Sequence, residues 1–357
     1  MSKVLVAMSG GVDSSVAAYL LQQQGYDCLG VTMRLYENEL VGQTNQQSCC
    51  SLDDVEDARA VCFRLGIRHH VFNFGESFEK EVIGRFVSEY EQGRTPNPCI
   101  ECNRHLKFDR LLQRARELGC DYIATGHYAR ITRDETGHCE LCAAPDAAKD
   151  QSYMLWNLAQ EQLARIIFPL EDMVKTDVRE SARSANMPSA DIAESEDVCF
   201  LPDEDAIDFV RRVKGDMPEG DFINADGKIL GRHKGIAAYT IGQRRGLGIA
   251  AGRRVFVTDI DPVKNTVTVG DDADLYKSRI TVGKLNFQKL LPTESGEYGL
   301  SVKVRYAAAP VAAKVTIDGE TAKVCFSEPV RAAAPGQSAV FYDGDAIAFG
   351  GVIEREE

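Results

Sequence analysis

Residues 9–15 read Ser9-Gly10-Gly11-Val12-Asp13-Ser14-Ser15, and this stretch decides the fold. An apolar run at 4–8 precedes it, and apolar residues at helical spacing follow it. The order therefore predicts a strand, a tight turn and a helix. Two adjacent glycines let backbone N–H groups come close to an anion, and Ser14 and Ser15 stand where hydroxyls and free helical N–H groups bind phosphate oxygens. The stretch predicts a nucleotide site.

The loop lacks the lysine that a Walker motif uses on the outer phosphates, and the acidic Asp13 stands in its place. The order Ser-Gly-Gly-x-Asp-Ser resembles the pyrophosphatase-type loop (PP-loop) of the ATP-pyrophosphatase superfamily. Those enzymes cleave ATP between the α- and β-phosphates and adenylylate a substrate oxygen. By this resemblance Asp13 would bind Mg²⁺ beside the leaving pyrophosphate. The alternative is a tight turn that binds no ligand.

Composition limits the class of protein. A length of 357 residues predicts two or three domains, and a hydrophobic content of 44% is typical of a globular chain. Because the sequence has no membrane-spanning apolar run and no secretory segment at Met1, we expect a cytoplasmic protein. Eleven cysteines in such a chain indicate thiol chemistry, metal binding or plain burial rather than a disulfide framework. Most of them are expected to be buried and inert.

The charge is uneven along the chain. A net charge of −13 argues against simple nonspecific nucleic-acid binding. A basic stretch at 228–254 nevertheless contains no Asp or Glu and predicts a phosphate-binding surface, with a solvated loop as the alternative. Its basic residues are Lys228, Arg232, Lys234, Arg244, Arg245, Arg253 and Arg254.

The pattern of elements changes twice. Strands alternate with helices over the first two hundred residues, which predicts an α/β fold with a doubly wound parallel sheet. A polar segment at 37–51 predicts a mobile insertion. Small strands and many glycines follow at 215–252, and from Arg279 onward alternating residues predict a small C-terminal β-barrel. The predicted domains are a nucleotide-binding domain at 1–203, a small central domain at 204–277 and the barrel at 278–357.

Two cysteine motifs are candidates for chemistry. In Thr95-Pro96-Asn97-Pro98-Cys99-Ile100-Glu101-Cys102-Asn103 the prolines predict an extended start, followed by a helix from Leu106 to Leu118. A cysteine near a helix start and beside basic residues favours the thiolate, so Cys102 is the reactive candidate. Cys139 and Cys142 form a C-x-x-C pair. No second pair of ligands follows at the spacing of a zinc finger, which favours a structural role over zinc binding.

Further motifs follow in order, namely Asn97 to Cys102, Gly126 to Tyr128, Lys149 to Gln151, Cys199 and Pro335-Gly336-Gln337. With residues 9–14, the combination closely resembles the tRNA-specific 2-thiouridylases along essentially the whole chain. The resemblance implies an adenine nucleotide alpha hydrolase-like first domain and ATP-dependent replacement of the C2 oxygen of a wobble uridine by sulfur. AMP and pyrophosphate would be the other products. The partners would be tRNA and a protein that donates persulfide sulfur.

The resemblance also implies a role for each matching residue. Cys102 would be the nucleophile, Cys199 would carry the persulfide, and a Cys102–Cys199 disulfide would remain for an external reductant. ATP would be held by Ala7, Met8, Ser9, Gly10, Gly11, Val12, Asp13, Ser14, Met33 and Gly126. The target base would meet Asn97, Pro98 and Cys99, while His127, Lys149, Asp150, Gln151, Arg305, Tyr306 and Gln337 would contact tRNA.

One departure from the family pattern leaves the sulfur chemistry open. Many members have Asp where this chain has Cys99, so a third thiol stands near Cys102 and Cys199 in the implied site. These three cysteines could instead ligate a four-iron, four-sulfur cluster that delivers sulfide. The persulfide route is favoured over the cluster.

Two other functions also stay open from the sequence. A PP-loop synthetase could adenylylate a small-molecule acceptor, although its reactive cysteines would then be unexplained. A non-enzymatic RNA-binding or iron-storing module could carry a degenerate loop. Pyrophosphate release that depends on tRNA separates the three hypotheses.

Overall fold

The computed structural model of the protein describes residues 1–36, 52–192, 198–201, 205–249, 252–290 and 296–356. The predicted insertion at 37–51 and the predicted boundary at 203 lie outside these residues. Within the described ranges, no helix is both long and apolar enough to cross a membrane.

Short strands and helices make up the regular structure. In chain order the strands are β1 (Lys3–Ala7), β2 (Asp27–Arg34), β3 (Arg68–Asn73), β4 (Tyr122–Ala124), β5 (Arg130–Arg133), β6 (Cys139–Cys142), β7 (Ile166–Ile167), β8 (Gly220–Ile223), β9 (Ile229–His233), β10 (Phe256–Asp261), β11 (Thr266–Gly270), β12 (Tyr276–Phe287), β13 (Gly296–Lys303), β14 (Val311–Asp318), β15 (Thr321–Arg331), β16 (Ser338–Asp343) and β17 (Ala346–Ile353). The α-helices are α1 (Val12–Gln23), α2 (Leu52–Leu65), α3 (Gly75–Phe78), α4 (Gly84–Glu91), α5 (Pro98–Cys102), α6 (Leu111–Glu117), α7 (Gln160–Leu163), α8 (Lys175–Ser184) and α9 (Ala206–Lys214). Wider π-helical turns occupy Glu79–Ile83 and Asn103–Arg110.

The chain divides into two compact units. The first comprises Met1–Val82, Cys99–Pro202 and Asp345–Ile347. The second comprises Ile83–Pro98, Asp203–Gly344 and Ala348–Glu357. The second unit therefore takes in a short piece of chain that interrupts the first unit in sequence.

A parallel sheet forms the centre of the first unit, with strand order β3-β2-β1-β4-β7. This confirms the predicted doubly wound α/β fold. The chain runs outward from β1 to β3 and then returns to place β4 on the other side of β1. In such sheets ligands bind at the carboxyl ends of the strands where the order reverses. The loops after β1 and β4 open at that point, so the topology itself selects residues 8–11 and 125–129.

The core of this sheet forms because its central strand β1 is apolar on both faces, with Leu5 buried on one face and Val4 and Val6 on the other. Val4 and Val6 of β1 are fully buried, as are Val16, Ala17 and Leu21 of α1. These residues belong to one hydrophobic cluster with Ala58 and Val61 of α2. Packing on both faces of β1 fixes the position of the loop that joins β1 to α1.

The helix after the two prolines begins earlier than the sequence predicts. It starts at Pro98 and continues through the π-helical turn into α6, so the predicted start at Leu106 is wrong. Proline is well tolerated at the first helical position, because its missing N–H would have no partner there. Cys99 therefore stands next to the helix start, whereas Cys102 lies about one turn further in.

The second unit contains two all-β parts. A small sheet has strand order β10-β11-β8-β9. Strands β12-β15-β14-β13-β16-β17 follow in that spatial order, and pairing of β12 with β17 closes them into a six-stranded barrel. Its interior is filled by buried residues such as Val302, Val324, Phe341 and Phe349. This confirms the C-terminal β-barrel.

Candidate functional site

The loop between β1 and α1 is held by its own side chains. The Ser14 hydroxyl accepts from the Ser9 N–H at 3.2 Å and donates to the Gly11 carbonyl at 3.1 Å. Ser15 donates to the same carbonyl at 2.9 Å and accepts from the Ser189 hydroxyl at 2.7 Å. Gly10 has φ +83°, and a Cβ atom there would lie 2.8 Å from the Asp54 carbonyl oxygen. Only glycine fits this turn without strain.

The loop after β4 packs directly on the loop after β1. A Cβ atom on Gly126 would lie 2.8 Å from the Asp13 carbonyl carbon and 2.9 Å from the Ser14 backbone nitrogen. Met33 lies near the end of β2, the strand on the other side of β1. The residues predicted to hold ATP, 7–14, Met33 and Gly126, thus come to one edge of the sheet.

Asp13 has two partners that the sequence did not predict. The Lys175 ammonium nitrogen lies 2.7 Å from Asp13 Oδ1 and 2.8 Å from Oδ2. The Tyr128 hydroxyl donates to Oδ1 at 2.7 Å, and the same ammonium lies 5.7 Å from the centre of the Tyr128 ring. The Lys175 side chain is 12% exposed and that of Asp13 is 31% exposed. A sheltered ion pair therefore stands in the middle of the predicted phosphate site.

This arrangement bears on the predicted Mg²⁺ ligand. Both oxygens of Asp13 contact the Lys175 ammonium group, so the carboxylate is engaged in an ion pair. Mg²⁺ is usually held by one or two carboxylates together with substrate phosphates, so a metal bound at Asp13 stays a prediction.

Residues 149–151 are predicted to contact tRNA. Among them, Gln151 binds the backbone of Tyr128, whose hydroxyl contacts Asp13. The Tyr128 N–H donates to Gln151 Oε1 at 3.0 Å, and the Gln151 N–H donates to the Tyr128 carbonyl at 2.8 Å. Gln151 thereby orients the tyrosine that holds Asp13. The buried Asp150 carboxylate accepts from the Ala144 N–H, the Ser152 N–H and the Ser152 hydroxyl. Lys149 is half-buried. Contact of these residues with tRNA stays a prediction.

The His127 ring packs against the rings of Phe108 and Phe168, with centroid distances of 5.6 and 6.0 Å. Its Nδ1 lies 2.7 Å from the Thr125 hydroxyl oxygen. Burial, assisted by the nearby Lys107, holds the pKa of His127 well below its ordinary value. A predicted contact of His127 with tRNA would therefore use a neutral ring and not a cation.

The cysteines separate into inert and accessible groups. Burial raises the pKa of Cys62 to about 12, and burial with the charge of Asp27 raises the pKa of Cys28 to about 11. Cys139 and Cys142 are also buried. Cys99 and Cys199 are half-buried, whereas Cys102 is buried at 7% exposed, about as much as Cys28 at 8%. Access therefore favours Cys99 and Cys199, and the reactivity of Cys102 stays a prediction.

The Cys199 segment is anchored by aromatic residues. The Tyr36 hydroxyl donates to the Cys199 carbonyl at 2.6 Å. The Phe200 ring packs edge-on against Phe78 with centroids 5.7 Å apart, and Phe78 in turn contacts Tyr36. Tyr36 follows β2, so these contacts tie Cys199 to the edge of the sheet that carries the loop. Cys99, Cys102 and Cys199 do not form a metal-holding group among the described residues.

In the second unit, Gln337 supports the residues that precede Cys99. Its Nε2 donates to the Thr95 carbonyl at 3.1 Å and to the Pro96 carbonyl at 3.4 Å. The Thr95 N–H donates to the Pro335 carbonyl at 2.8 Å. We call residues 94–97 the Thr95 segment. It includes Asn97, predicted to meet the target base, and Pro98 follows it as the buried first residue of α5.

The basic stretch is exposed at each of its seven basic residues. Arg232 pairs with Asp221 at 2.9 Å and Arg253 pairs with Asp271. The adjacent Arg244 and Arg245 are exposed without an acidic neighbour in their own stretch. Such a surface suits phosphate binding, as the sequence predicts.

Arg305 and Tyr306, also predicted to contact tRNA, follow β13. Arg305 Nη2 donates to the Arg331 carbonyl at 3.4 Å, and the Tyr306 ring is 37% exposed. The Lys303 ammonium lies 5.8 Å from the Tyr306 ring centre. An exposed aromatic ring beside cations is a common surface for RNA bases and phosphates.

Sequence reasoning missed Lys175 because it lies 162 positions from Asp13. One local signal was available. Lys175 is the first residue of α8, and a cation at a helix N-terminus is disfavoured by the helix dipole. A lysine at that position needs an acidic partner from elsewhere in the chain.

Comparisons with known proteins give one consistent family. Residues 2–203 match a family model described as the tRNA methyl transferase HUP domain, residues 207–271 the tRNA methyl transferase PRC-barrel domain, and residues 277–353 the aminomethyltransferase beta-barrel domain. The tRNA-specific 2-thiouridylase MnmA of Clostridioides difficile (strain 630) is 48% identical over 356 residues, covering 99% of this chain and 98% of that protein. The protein of the same name from Clostridium acetobutylicum is 47% identical over 357 residues and 99% of both chains. A 4-thiouridine synthetase solved with RNA and ATP has a TM-score of 0.36 and 20% identity, covering 57% of this chain and 46% of its own.

Proposed function

The chain belongs to the tRNA-specific 2-thiouridylase family, and from that premise we propose how its residues divide the reaction. The enzyme is a tRNA-uridine 2-sulfurtransferase that uses ATP. The observation that carries the residue assignments is the meeting of the two glycine loops at the point where the sheet order reverses. We propose that the target is the wobble uridine and that the reaction takes place in the cytoplasm. We also propose that residues 1–203, 204–277 and 278–357 act as catalytic, central tRNA-binding and barrel domains.

Adenylylation is the first step, because the C2 oxygen of uridine is a very poor leaving group. The oxygen attacks the α-phosphorus of ATP, the bond to the β-phosphate breaks, and pyrophosphate leaves with the electron pair. The N3 proton of the base passes to water. Residues 7–14 would hold the phosphates through backbone N–H groups and serine hydroxyls, supported by the close packing of Gly126 on Asp13 and Ser14. Met33 would lie against the nucleotide from β2.

Sulfur transfer is the second step, and we propose a persulfide on Cys199 as its source. The terminal sulfur, which ionises readily near neutral pH, bonds to C2, and AMP leaves with the electrons of the C–O bond. The Cys102 thiolate then attacks the inner sulfur. The bond between the inner sulfur and the outer sulfur breaks, the electron pair stays on the outer sulfur bonded to C2, and the base takes a proton back at N3 from water to give 2-thiouridine. A Cys102–Cys199 disulfide remains, which an external thiol reductant reopens. A separate protein would renew the persulfide.

The alternative iron–sulfur route finds less support. Three thiolates must converge to leave the fourth iron of a cluster open. Cys99, Cys102 and Cys199 do not form such a group among the described residues, so no step is assigned to a cluster. Similarly, Asp13 faces an ammonium ion, and no step depends on a metal held by it.

tRNA recognition would involve both units. The exposed basic stretch would bind phosphates, while Arg305 and Tyr306 would meet the RNA from the barrel. Because C2 is not accessible in a stacked base, the uridine must leave the anticodon stack. Asn97, Pro98 and Cys99 would receive it, next to Cys102 in sequence.

The test supplies purified protein with ATP, unmodified tRNA and a persulfide donor protein, and measures pyrophosphate release and 2-thiouridine by nucleoside mass spectrometry. Wild type should give both products, each dependent on tRNA. Cys199→Ser should keep one round of pyrophosphate release and lose 2-thiouridine. Asp13→Ala should lose both by about 10²-fold or more, since Lys175 and Tyr128 would lose the carboxylate that holds them beside the phosphate loop.

Two results would contradict the proposal. Pyrophosphate release without tRNA would favour the synthetase that adenylylates a small molecule. Full thiolation by Cys199→Ser would remove the persulfide from that residue.

A further inference from the structure

We propose that Lys175 is a catalytic residue of the adenylylation step, whose ammonium group binds the β-phosphate end of ATP and neutralises the leaving pyrophosphate. This rests on the proposed function, because it assigns the nucleotide phosphates to the loop at residues 9–15. It names a residue far from every motif that the sequence singled out.

Lys175 places its positive charge at the phosphate loop. The Lys175 ammonium lies within hydrogen-bonding distance of both Asp13 oxygens, and Asp13 belongs to the phosphate loop itself. The loop lacks a Walker lysine. A phosphate group bound by the N–H groups of this loop would lie close to Asp13. The flexible four-carbon side chain of Lys175 could then bring its ammonium group into contact with that phosphate. The cation that the loop lacks in sequence is supplied by α8.

The placement of Lys175 is energetically unfavourable for a cation. Lys175 is only 12% exposed and begins a helix, where the dipole disfavours a cation. A sheltered ion pair seldom adds much stability over apolar packing, since both charges lose water. The Tyr128 hydroxyl and ring contact the same pair and fix its geometry. Such a costly arrangement beside a phosphate loop is explained by use of the charge in the reaction.

The ammonium group of Lys175 also matches the charge that develops in the adenylylation step. As the bond between the α-phosphorus and the bridging oxygen breaks, negative charge accumulates on the pyrophosphate. An ammonium group already held nearby stabilises that charge without a proton transfer and without reorganisation of solvent. Asp13 then acts as the holder of Lys175 before ATP arrives.

The experiment compares Lys175→Gln with Arg183→Gln, a matched control on the same helix whose exposed arginine pairs with Asp191. The readouts are the rate of tRNA-dependent pyrophosphate release and the product inhibition constants of pyrophosphate and AMP. Lys175→Gln should slow release by about 10²–10³-fold. It should raise the inhibition constant of pyrophosphate at least about tenfold, the effect of one charged hydrogen bond, with that of AMP unchanged. Arg183→Gln should match wild type.

A purely structural role predicts different results. Lys175→Gln would then alter pyrophosphate and AMP inhibition equally, and the neutral pair Asp13→Asn with Lys175→Gln would recover activity. Either result overturns the proposal. If Lys175→Gln does not fold by circular dichroism, Lys175→Arg, which keeps the charge, should retain pyrophosphate inhibition, and loss of that inhibition also overturns it. Absence of tRNA-dependent release in wild type would instead count against the proposed function.

Discussion

The phosphate loop at residues 9–15 and the Thr95 segment are stabilised in opposite ways. The hydrogen bonds that Ser14 and Ser15 make within the loop join residues three to five positions apart. The bonds from Gln337 to Thr95 and Pro96 join residues 242 and 241 positions apart. The turn of the region assigned to ATP is therefore held by local bonds, with further contacts from Ser189 and Lys175. The bonds that Gln337 donates to the region assigned to the target base come from distant chain alone.

This difference predicts which substitutions impair the ATP step and which impair the use of tRNA. Damage to the loop or to its packing partner should stop the ATP step. Damage to Gln337 should leave ATP chemistry intact and weaken the use of tRNA. Substitutions in three places test this division, beginning with the largest expected effect.

Gly126→Ala should have the largest effect. The added Cβ must displace the Asp13–Ser14 backbone, which lies 2.8 and 2.9 Å away and has no side chain that could yield. We expect tRNA-dependent pyrophosphate release to fall by about 10²-fold, the cost of a misplacement near 1 Å. Initial-rate measurements at saturating tRNA check this.

Gly299→Ala is the matched control, because a Cβ atom there meets nothing within 4 Å. It should leave the rate unchanged. A Gly126→Ala variant with normal pyrophosphate release would show that the two loops can move apart without loss of the ATP step. This result would contradict the claim that the ATP step depends on their packing.

Gln337→Leu should have an intermediate effect. It keeps the volume and removes the two donated hydrogen bonds, so kcat/KM for tRNA should fall about tenfold, or roughly 1.4 kcal/mol. The KM for ATP should not change. Hydrogen exchange at residues 94–97 should rise in the protein without tRNA.

The exchange measurement separates two roles for Gln337. Direct contact with tRNA alone would lower kcat/KM without changing exchange in the free protein. Gln92→Ala, which removes an amide-to-carbonyl bond to Ser88 in the same unit, should change neither quantity.

Replacing Arg244 and Arg245 together with Gln should have the smallest effect. Both are exposed, so folding should not change and tRNA binding should weaken several-fold at low salt. Each lost phosphate contact should lower the log–log salt slope by roughly 0.7 to 0.9. Binding titrations at several salt concentrations measure this, and an unchanged slope would remove these arginines from the tRNA surface.

Sequence reasoning succeeded where neighbouring residues determine the structure. The run at 4–8 and the glycines at 10 and 11 predicted β1, the turn and α1, since strand, turn and helix each have local signals. The alternating residues after Arg279 predicted the barrel for the same reason. The helix start failed because two prolines were taken to block a helix, whereas Pro98 occupies the one position that suits proline.

The parts that sequence reasoning missed depend on contacts across the chain. Nothing near Asp13 indicates that Lys175 and Tyr128 neutralise and orient its carboxylate. Nothing near Thr95 indicates that it belongs with the second unit. Family resemblance marked Gln151 for tRNA, and its observed bonds to the Tyr128 backbone add a positioning role that no local pattern reveals.

The long reach of Gln337 has a consequence for the newly made chain. During synthesis at about 5–20 residues per second, the 242 positions that separate Thr95 from Gln337 take roughly 10 to 50 s to add. The phosphate loop has its own serine contacts long before then. During that interval the carbonyl groups of Thr95 and Pro96 lack the hydrogen bonds that Gln337 later donates. On the proposed assignments, a ribosome-bound chain would therefore complete its ATP residues well before the segment that receives the base, and thiolation would become possible only after Gln337 has been made.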